Sequence, residues 1–156
     1  MDTPGAFCGL EAEERGQGEA IARNLFEMAS LTVPVLSMVI GEGGSGGALA
    51  MAVANEVWML ENAIYSILSP EGFASILYKD SKKAPDAAKV MKVTAKDLQN
   101  LKLIERIIPE EQPASKENLF RLAELMDVAM EDFFKTYGAM SGEELANHRY
   151  DRFRRM

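Results

Sequence analysis

The sequence predicts a single α/β domain with a helical extension at its C-terminal end. Val33–Ile40 is a nearly unbroken apolar run rich in β-branched residues, as expected for a strand that is buried on both faces. Five glycines fall within residues 41–47, directly after that run, and helical apolar spacing lies on either side. Strands that alternate with helices indicate an α/β architecture. We expect residues 1–110 to form the α/β core and residues 111–156 to form the extension.

The individual elements follow from apolar periodicity and from residues that start helices. Ser69, Thr94 and Ser141 can each accept a hydrogen bond from the free N–H groups of a first helical turn, and Glu144 completes a capping box with Ser141. The expected helices cover residues 11–30, 48–55, 70–78, 82–91, 94–101, 115–137 and 141–154, and the expected strands cover residues 33–40, 57–60, 64–68 and 104–108.

The charge balance excludes nucleic acid as a partner. The net charge is −7 and the pI is about 4.8, whereas binding to phosphates needs a basic face. The only basic cluster is formed by the arginines between residues 149 and 155, which we expect to oppose the negative end of a helix dipole. Pro34 and the glycines interrupt the apolar runs before they reach the roughly 20 residues of a membrane-spanning helix. We therefore expect no membrane association.

Cysteine usage and the charged N-terminal region indicate a reducing compartment. Cys8 is the only cysteine, so no internal disulfide can form, and we expect it in a loop or a small buried site. Residues 11–19 are charged rather than apolar, unlike a secretory signal. We expect a cytoplasmic protein, and we expect no metal site.

The glycine segment is the most informative part of the chain. Backbone without side chains can approach another molecule closely, and a helix that follows it presents unpaired N–H groups. Such a segment suits an anion or a developing oxyanion. Three interpretations fit its sequence, and a purely structural glycine turn is the fourth.

The first interpretation is a dinucleotide site. Gly41, Gly43 and Gly46 match G-x-G-x-x-G after a strand, and Glu61 follows about 20 residues later. Only about ten residues separate Gly46 from the next expected strand, which is short for a crossover helix. This spacing disfavours a nicotinamide-dependent oxidoreductase.

The second interpretation is a serine hydrolase. Residues 43–47 match the G-x-S-x-G nucleophile elbow around Ser45, and His148 is the only possible histidine base. We expect His148 on a solvated helix face rather than in a loop at a strand end, which disfavours a catalytic triad.

The third interpretation is an oxyanion hole built from backbone N–H groups. Donors aimed at developing negative charge contribute roughly 3–4 kcal/mol each in such sites. The chemistry needs no side-chain nucleophile, in agreement with a glycine segment that lacks a clear triad.

Longer stretches of the sequence resemble the alpha subunit of the carboxyltransferase of bacterial-type, multi-subunit acetyl-CoA carboxylase. The resemblance covers essentially the whole chain in the right order. It is carried by residues 2–7, Gly9, residues 12–17 and 19–22, residues 39–48, residues 69–72 and residues 147–153. Two features depart from the family. The half-subunit that usually precedes the residues around Asp2 is missing, and Cys8 stands where proline is common. The chain also opens on a turn, and we expect it to be a piece of something longer.

The resemblance implies a crotonase-like fold, a superhelix of ββα units, here in part and with a C-terminal helical region. It implies an enzyme of fatty acid biosynthesis that moves a carboxyl group from carboxybiotin on a biotin carboxyl carrier protein to acetyl-CoA, giving malonyl-CoA. Biotin and a CoA thioester are the implied cofactor and substrate. A carboxyltransferase beta subunit is the implied partner, with the alpha subunit shaping mainly the biotin side. Another crotonase-fold enzyme acting on CoA thioesters is the alternative within this fold.

By position, the resemblance assigns a backbone oxyanion hole to the glycine segment. The expected donors are Gly43, Gly44, Gly46 and Gly47, and the expected biotin-binding residues are Gly5, Ala6, Gly9 and Ser45. Such an enzyme needs positioning and oxyanion stabilisation rather than its own base.

Three further expectations concern contacts away from the glycine segment. Residues 13–15 are expected to order a loop through ion pairs, and Ser69 to act as a helix cap. The apolar run 33–40 and Met51, Met126 and Met130 are expected to be incompletely covered, so we expect a homo-oligomer, in the simplest case a dimer.

Overall fold

Helices and short strands occur throughout residues 1–156, all of which the computed structural model describes. The helices are α1 (Leu10–Glu14), α2 (Gln17–Ser30), α3 (Ser45–Leu49), α4 (Pro70–Tyr78), α5 (Ala84–Val90), α6 (Ala95–Asn100), α7 (Leu119–Tyr137) and α8 (Gly142–Arg154). The strands are β1 (Leu36–Val39), β2 (Glu42–Gly44), β3 (Glu56–Leu60), β4 (Ile64–Ser66) and β5 (Arg106–Ile108). None of the helices has both the length and the apolar character needed to cross a membrane.

Two consecutive ββα units form the centre of the fold. β1, β2 and α3 make the first unit, and β3, β4 and α4 repeat that order in the second. β1 lies parallel to β3, and β2 lies parallel to β4. β5 extends the first sheet to the order β1-β3-β5. Each strand of one unit thus pairs with its counterpart in the next, which is the arrangement of a ββα superhelix.

The first residues of the chain lie beside the first unit and are hydrogen-bonded to it. The N–H of Ile40 donates to the carbonyl of Met1 at 3.0 Å, and the N–H of Thr3 donates to the carbonyl of Glu42 at 2.7 Å. Thr3 forms an isolated parallel bridge with Gly43. These bonds fix the turn that follows Thr3 directly against the glycine segment.

The expected helix over residues 48–55 is wrong, because α3 begins at Ser45 and ends at Leu49. The glycine segment is likewise not a simple loop, since its first part is strand β2. Small residues carry little periodic signal, so the sequence did not reveal the boundary between strand and helix. The expected helix over residues 11–30 is also divided, by Gly16 at a φ of 77°.

The predicted helix starts are confirmed at the three polar caps. Ser69, Thr94 and Ser141 each accept a hydrogen bond from the backbone N–H three residues on, at 3.2–3.3 Å. Ser141 and Glu144 form the expected capping box. Ser69 therefore acts as a helix cap, as expected.

One hydrophobic core joins the ββα units to the C-terminal helices. Trp58 in β3 is fully buried and meets Phe133 of α7 edge to face, with 6.1 Å between the ring centroids. Tyr137 of α7 packs on Phe133 and donates its hydroxyl to Glu56 at 3.0 Å. The boundary between an α/β core and a helical extension near residue 110 stays a prediction. Residues on both sides of it contribute to this one hydrophobic core.

The expectation that the C-terminal arginines only oppose a helix dipole is wrong for Arg149 and Arg152, which are 1% and 6% exposed. Arg152 forms a bidentate ion pair with Glu105, whose oxygens lie 2.6 and 3.0 Å from its nitrogens. Arg149 donates to the carbonyls of Ala29, Leu31 and Val33 and to the side-chain oxygen of Asn55. Both side chains therefore attach α8 to the core.

Candidate active site

At the end of β2, residues 44–47 pass residues 4–6 at van der Waals distance, and we call this contact the glycine crossing. A Cβ built on Gly44 would lie 2.3 Å from the carbonyl oxygen of Pro4. A Cβ on Gly47 would lie 3.1 Å from the carbonyl carbon of Gly5 and 3.2 Å from the nitrogen of Ala6. Only glycine at 44 permits this approach, so the sequence at this crossing is dictated by geometry.

The backbone N–H groups at the crossing differ in whether they already have acceptors. The N–H of Gly44 donates to the carbonyl of Thr3 at 2.9 Å, and Gly43 is buried within the pairing of β2 and β4. The N–H of Ala6 has no acceptor within the protein. Gly46 and Gly47 lie in the first turn of α3, whose first N–H groups lack intrahelical partners and receive no side-chain cap.

The predicted residues Gly5 and Gly9 lie on the same N-terminal segment as Ala6. Gly5 has a φ of 122°, which other residues rarely adopt, and its N–H donates to the Thr3 hydroxyl at 3.2 Å. Gly9 precedes α1, and a Cβ there would lie 2.3 Å from the ring of Phe7. Gly5 therefore belongs to the crossing, whereas the surroundings of Gly9 are formed by the exposed Phe7 ring.

Ser45 begins α3 in the left-handed region, with a φ of 53°. A left-handed serine between a strand and a helix is a feature shared with the nucleophile elbow. However, its hydroxyl makes no hydrogen bond to another side chain. His148 instead lies with its Nδ1 3.4 Å from Nδ2 of Asn55 and its ring against Tyr137. No acid–base partner is therefore placed on Ser45.

The solvated position expected for His148 is wrong, because the ring is half-buried between α7 and α8. Burial lowers the pKa of His148, and the positive charge of Arg155 lowers it further. Burial and the neighbouring Glu56 raise the pKa of Tyr137. These groups belong to the packing of the C-terminal helices rather than to the glycine crossing.

A largely apolar cavity of about 540 Å³ opens beside the crossing. It is lined by 18 residues, of which 13 are hydrophobic, and a volume of this size is typical of a small-molecule site. Ser45 and Gly46 line one part, Phe73 of α4 another, and Phe153 near the end of α8 a third. The cavity thus connects the glycine segment with the second ββα unit and the C-terminal helix.

Two polar side chains in this cavity were missed by the sequence analysis. Tyr65 lies on β4, and a Cβ on its strand partner Gly43 would lie 3.1 Å from its Cδ2 atom. Arg152 reaches the cavity from α8. The alternation in β4 was the available signal for Tyr65, whereas nothing in the basic tail distinguished Arg152 from its exposed neighbours.

Other residues that the sequence singled out are exposed and lie away from the glycine crossing and the cavity. Residues 13–15 form the end of α1 without an ion pair among them, so the loop-ordering expectation is wrong. Cys8 is an exposed loop residue, in agreement with the expectation of a loop. No group of three or more His, Cys, Asp or Glu side chains is placed to hold a metal ion.

The dinucleotide interpretation does not agree with the topology. The segment after the glycines is the five-residue helix α3, and β2 pairs with β4 rather than with the next strand along the chain. The expected ribose-binding residue, Glu61, accepts the N–H of Glu110 at 2.9 Å. The glycines of this pattern instead have neighbours within the fold, since a Cβ on Gly41 would lie 2.6 Å from the Asp2 carboxylate and one on Gly43 would lie 3.1 Å from the Tyr65 ring.

Comparison with curated proteins gives relatives over the full length of this chain. It is 53% identical to the acetyl-coenzyme A carboxylase carboxyl transferase subunit alpha of Clostridium acetobutylicum, covering 100% of this chain and 57% of the relative. It is 55% identical to the same subunit of Streptococcus uberis, covering 99% and 59%. A beta/alpha protein of Natranaerobius thermophilus is 57% identical, covering 99% and 26%. The chain spans somewhat more than half the length of these alpha subunits.

Solved structures with similar folds support the superhelix. Transcarboxylase 12S has a TM-score of 0.71 at 18% identity, covering 88% of this chain and 26% of that one. A Pseudomonas malonate decarboxylase hetero-dimer gives 0.68 at 24%, covering 99% and 64%. A probable enoyl-CoA hydratase of Mycobacterium thermoresistibile gives 0.51 at 18%, covering 92% and 59%. At these identities the likeness shows the fold, which is crotonase-like.

Residues 1–156 match the family described as acetyl co-enzyme A carboxylase carboxyltransferase-like. This match includes both segments of the glycine crossing and helix α8, which lines part of the cavity. The chain therefore belongs to the acetyl co-enzyme A carboxylase carboxyltransferase-like family.

Proposed function

We propose that this chain forms part of the alpha subunit of an acetyl-CoA carboxylase carboxyltransferase. The reaction moves a carboxyl group from carboxybiotin to acetyl-CoA and gives malonyl-CoA for fatty acid biosynthesis. The observation that carries the proposal is the approach of Gly47 to Gly5 and Ala6, in a chain that matches this family throughout. It brings N–H groups from two separate segments to one place beside a cavity.

The role of these residues is to stabilise negative charge with fixed backbone donors. Ala6, Gly46 and Gly47 are the proposed donors, because the N–H of Ala6 has no acceptor and the other two lie in an uncapped first turn. Gly43 and Gly44 keep the segments close, since the Gly44 N–H is already bonded to Thr3. Each preorganised donor contributes roughly 3–4 kcal/mol to the transition state.

The cavity fits a substrate with an apolar body that presents a carbonyl oxygen. Its lining is mainly hydrophobic, with Ser45 and Gly46 at one side. Both a biotin ring and the thioester end of acetyl-CoA have this character. Bound carboxybiotin supplies the transferable carboxyl group, while this chain's residues orient it, exclude water and stabilise the developing oxyanion. Gly5, Gly9 and Ser45 are proposed to shape the biotin side.

The proposed partners are a carboxyltransferase beta subunit and a biotin carboxyl carrier protein. The relatives from Natranaerobius thermophilus and Clostridium tetani are named as joined beta/alpha subunits, which supports close association of the two parts. Exposed apolar side chains on α1 and α2, Leu10 and Phe26, offer contact surface, at 75% and 74% exposure. The proposed compartment is the cytoplasm, in keeping with the exposed thiol of Cys8.

The test is carboxyl transfer measured in reverse, from malonyl-CoA to free biocytin, by the carboxyltransferase assembled with this chain. We expect acetyl-CoA to form only when the chain, the beta subunit and biocytin are all present. Ester hydrolysis by the chain alone, with labelling of Ser45 by a fluorophosphonate, would support the hydrolase interpretation instead. Saturable binding of NADH would support the dinucleotide interpretation.

A further inference from the structure

The phenol of Tyr65 is an unused hydrogen-bond donor in the wall of the cavity. The main chain of Tyr65 is fixed on both sides, by β2 and by a hydrogen bond from its N–H to the carbonyl of Val93 at 3.0 Å. Its ring lies against Gly43, where an added Cβ would lie 3.1 Å from Cδ2 and the ring would have to shift. The hydroxyl nevertheless makes no hydrogen bond within the protein. A side chain in the cavity wall whose hydroxyl has no protein partner is available to contact a ligand.

Arg152 contributes a second unused donor to the same cavity. Its Nε donates to Glu105 at 2.6 Å, and its Nη2 donates to Glu105 at 3.0 Å and to the carbonyl of Leu103 at 2.8 Å. The third nitrogen, Nη1, makes no hydrogen bond within the protein, although the side chain is only 6% exposed. The guanidinium is thus immobilised by two of its nitrogens while the third remains available.

We propose that Tyr65 and Arg152 are substrate-positioning residues that bind the oxygen of a neutral, amide-type carbonyl on a ligand with an apolar body. This inference rests on the proposed function and adds two side chains to the backbone donors of the glycine crossing. Two substrate groups have the required chemistry, namely the cyclic urea of biotin and the amides of the pantetheine arm of CoA. Both combine an apolar surface with a neutral carbonyl acceptor.

The charge balance of the cavity favours a neutral acceptor over a carboxylate. Glu105 already neutralises Arg152, so no net positive charge remains to offset a buried anion. Lys92 is the other cation in the lining, and its ammonium lies 3.6 Å from Asp97. Burial raises the pKa of Tyr65 despite the opposing effect of Arg152, so the phenol remains a neutral O–H donor at neutral pH.

The substitution Tyr65→Phe tests the proposal, because it removes an oxygen that has no protein partner. The assay is reverse carboxyl transfer by the assembled enzyme, with KM measured separately for biocytin and for malonyl-CoA. We expect an increase of about 3- to 10-fold in one KM, with kcat changed less than twofold and an unchanged melting temperature. An increase for biocytin identifies the cyclic urea, and an increase for malonyl-CoA identifies the pantetheine amides. Tyr150→Phe, at an exposed position on α8, is the matched control.

One outcome overturns the proposal while leaving the proposed function intact, namely carboxyl transfer by Tyr65→Phe with both KM values unchanged. If inhibition by hexanoate, a charged apolar probe, also weakens in this variant, the phenol binds an anion instead of a neutral carbonyl. Absence of transfer by the wild-type enzyme instead contradicts the proposed function. In that case, calorimetric titration of the chain with biocytin and with acetylpantetheine tests this inference. It is overturned if neither probe binds, or if wild type and Tyr65→Phe bind each probe equally well.

Discussion

Nη2 of Arg149 in α8 lies 3.0 Å from Oδ1 of Asn55, the residue before β3, and both side chains are buried. The same amide oxygen accepts the N–H of Val35 at 3.0 Å, and the amide nitrogen donates to the carbonyl of Leu145 at 3.0 Å. One buried contact therefore joins the C-terminal helix to the residues that precede β1 and β3. Since β1 leads into the glycine segment, these contacts of α8 help to hold the candidate site in position.

Replacing Arg149 with methionine should strongly destabilise the fold. The change removes the donor shared by three partly buried main-chain carbonyls and one of the two donors to the Asn55 oxygen, and each unsatisfied buried group costs about 1–3 kcal/mol. We expect a loss of at least about 3 kcal/mol in the free energy of unfolding, measured by urea denaturation. Arg154→Met is the control, because Arg154 is exposed and donates only to the Tyr150 hydroxyl. Equal effects of the two changes would contradict this account of Arg149.

The half-buried His148 should make stability depend on pH. Burial and Arg155 lower its pKa in the folded chain below the ordinary value of about 6.5. The unfolded chain therefore takes up the proton first as the pH falls, so the contribution of His148 is complete above about pH 6.5 and is lost below it. We expect His148→Gln to flatten the decline of the urea midpoint between pH 7 and 5.5. Parallel pH profiles for the two proteins would exclude this role.

The sequence predicted the regular elements better than it predicted their contacts. Strands such as β3 carry continuous apolar residues, and caps such as Ser69 carry a local hydrogen-bonding signal, so both were found from short segments. The boundary at Ser45 was missed, because glycine and alanine suit strand, turn and helix almost equally. The ββα repeat was expected from the resemblance but not from the periodicity of any segment, because it depends on pairing between residues about 20 apart.

The candidate site was predicted only in part for the same reason. The glycine segment was identified because its composition is unusual, and the resemblance added Gly5 and Ala6. The occupied N–H of Gly44 and the free hydroxyl of Tyr65 depend on which group lies opposite, and no single segment contains that information. Arg149 and Arg152 were misinterpreted because their partners lie between 47 and 120 residues away in the sequence.

Replacing Gly47 with alanine should impair catalysis more than stability. The added methyl group would lie 3.1–3.2 Å from Gly5 and Ala6, so the two segments must separate by a few tenths of an ångström. Displaced donors lose much of their effect on a transition state, and we expect kcat to fall at least about 10-fold. Gly18→Ala is the matched control, since a methyl group there meets no neighbour and should leave both the fold and kcat unchanged. An unchanged kcat in Gly47→Ala would remove the crossing from the proposed site.

Replacing Ser45 with alanine should leave at least about a tenth of the carboxyltransferase activity. The hydroxyl has no partner, and the proposed stabilisation comes from backbone N–H groups that alanine retains. Loss of a catalytic nucleophile would instead lower kcat by several orders of magnitude. Steady-state kinetics of the assembled enzyme distinguish these outcomes, with circular dichroism as the check that the variant is folded.

Self-association of the chain stays a prediction. The structure shows which of the apolar residues expected at the interface are exposed enough to contact a second copy. Met126 and Met130 pack against the core, so they are poor candidates, whereas Val33 and Ile40 are 53% and 48% exposed on either side of β1. Ile40 follows β1 directly, and we take its exposed apolar side chain as the contact to test. We expect sedimentation velocity at micromolar concentration to show a dimer that Ile40→Glu weakens at least about 10-fold. The control is Val90→Glu, a similarly exposed position on α5. A stable wild-type monomer at these concentrations would show that this surface does not drive assembly of identical chains.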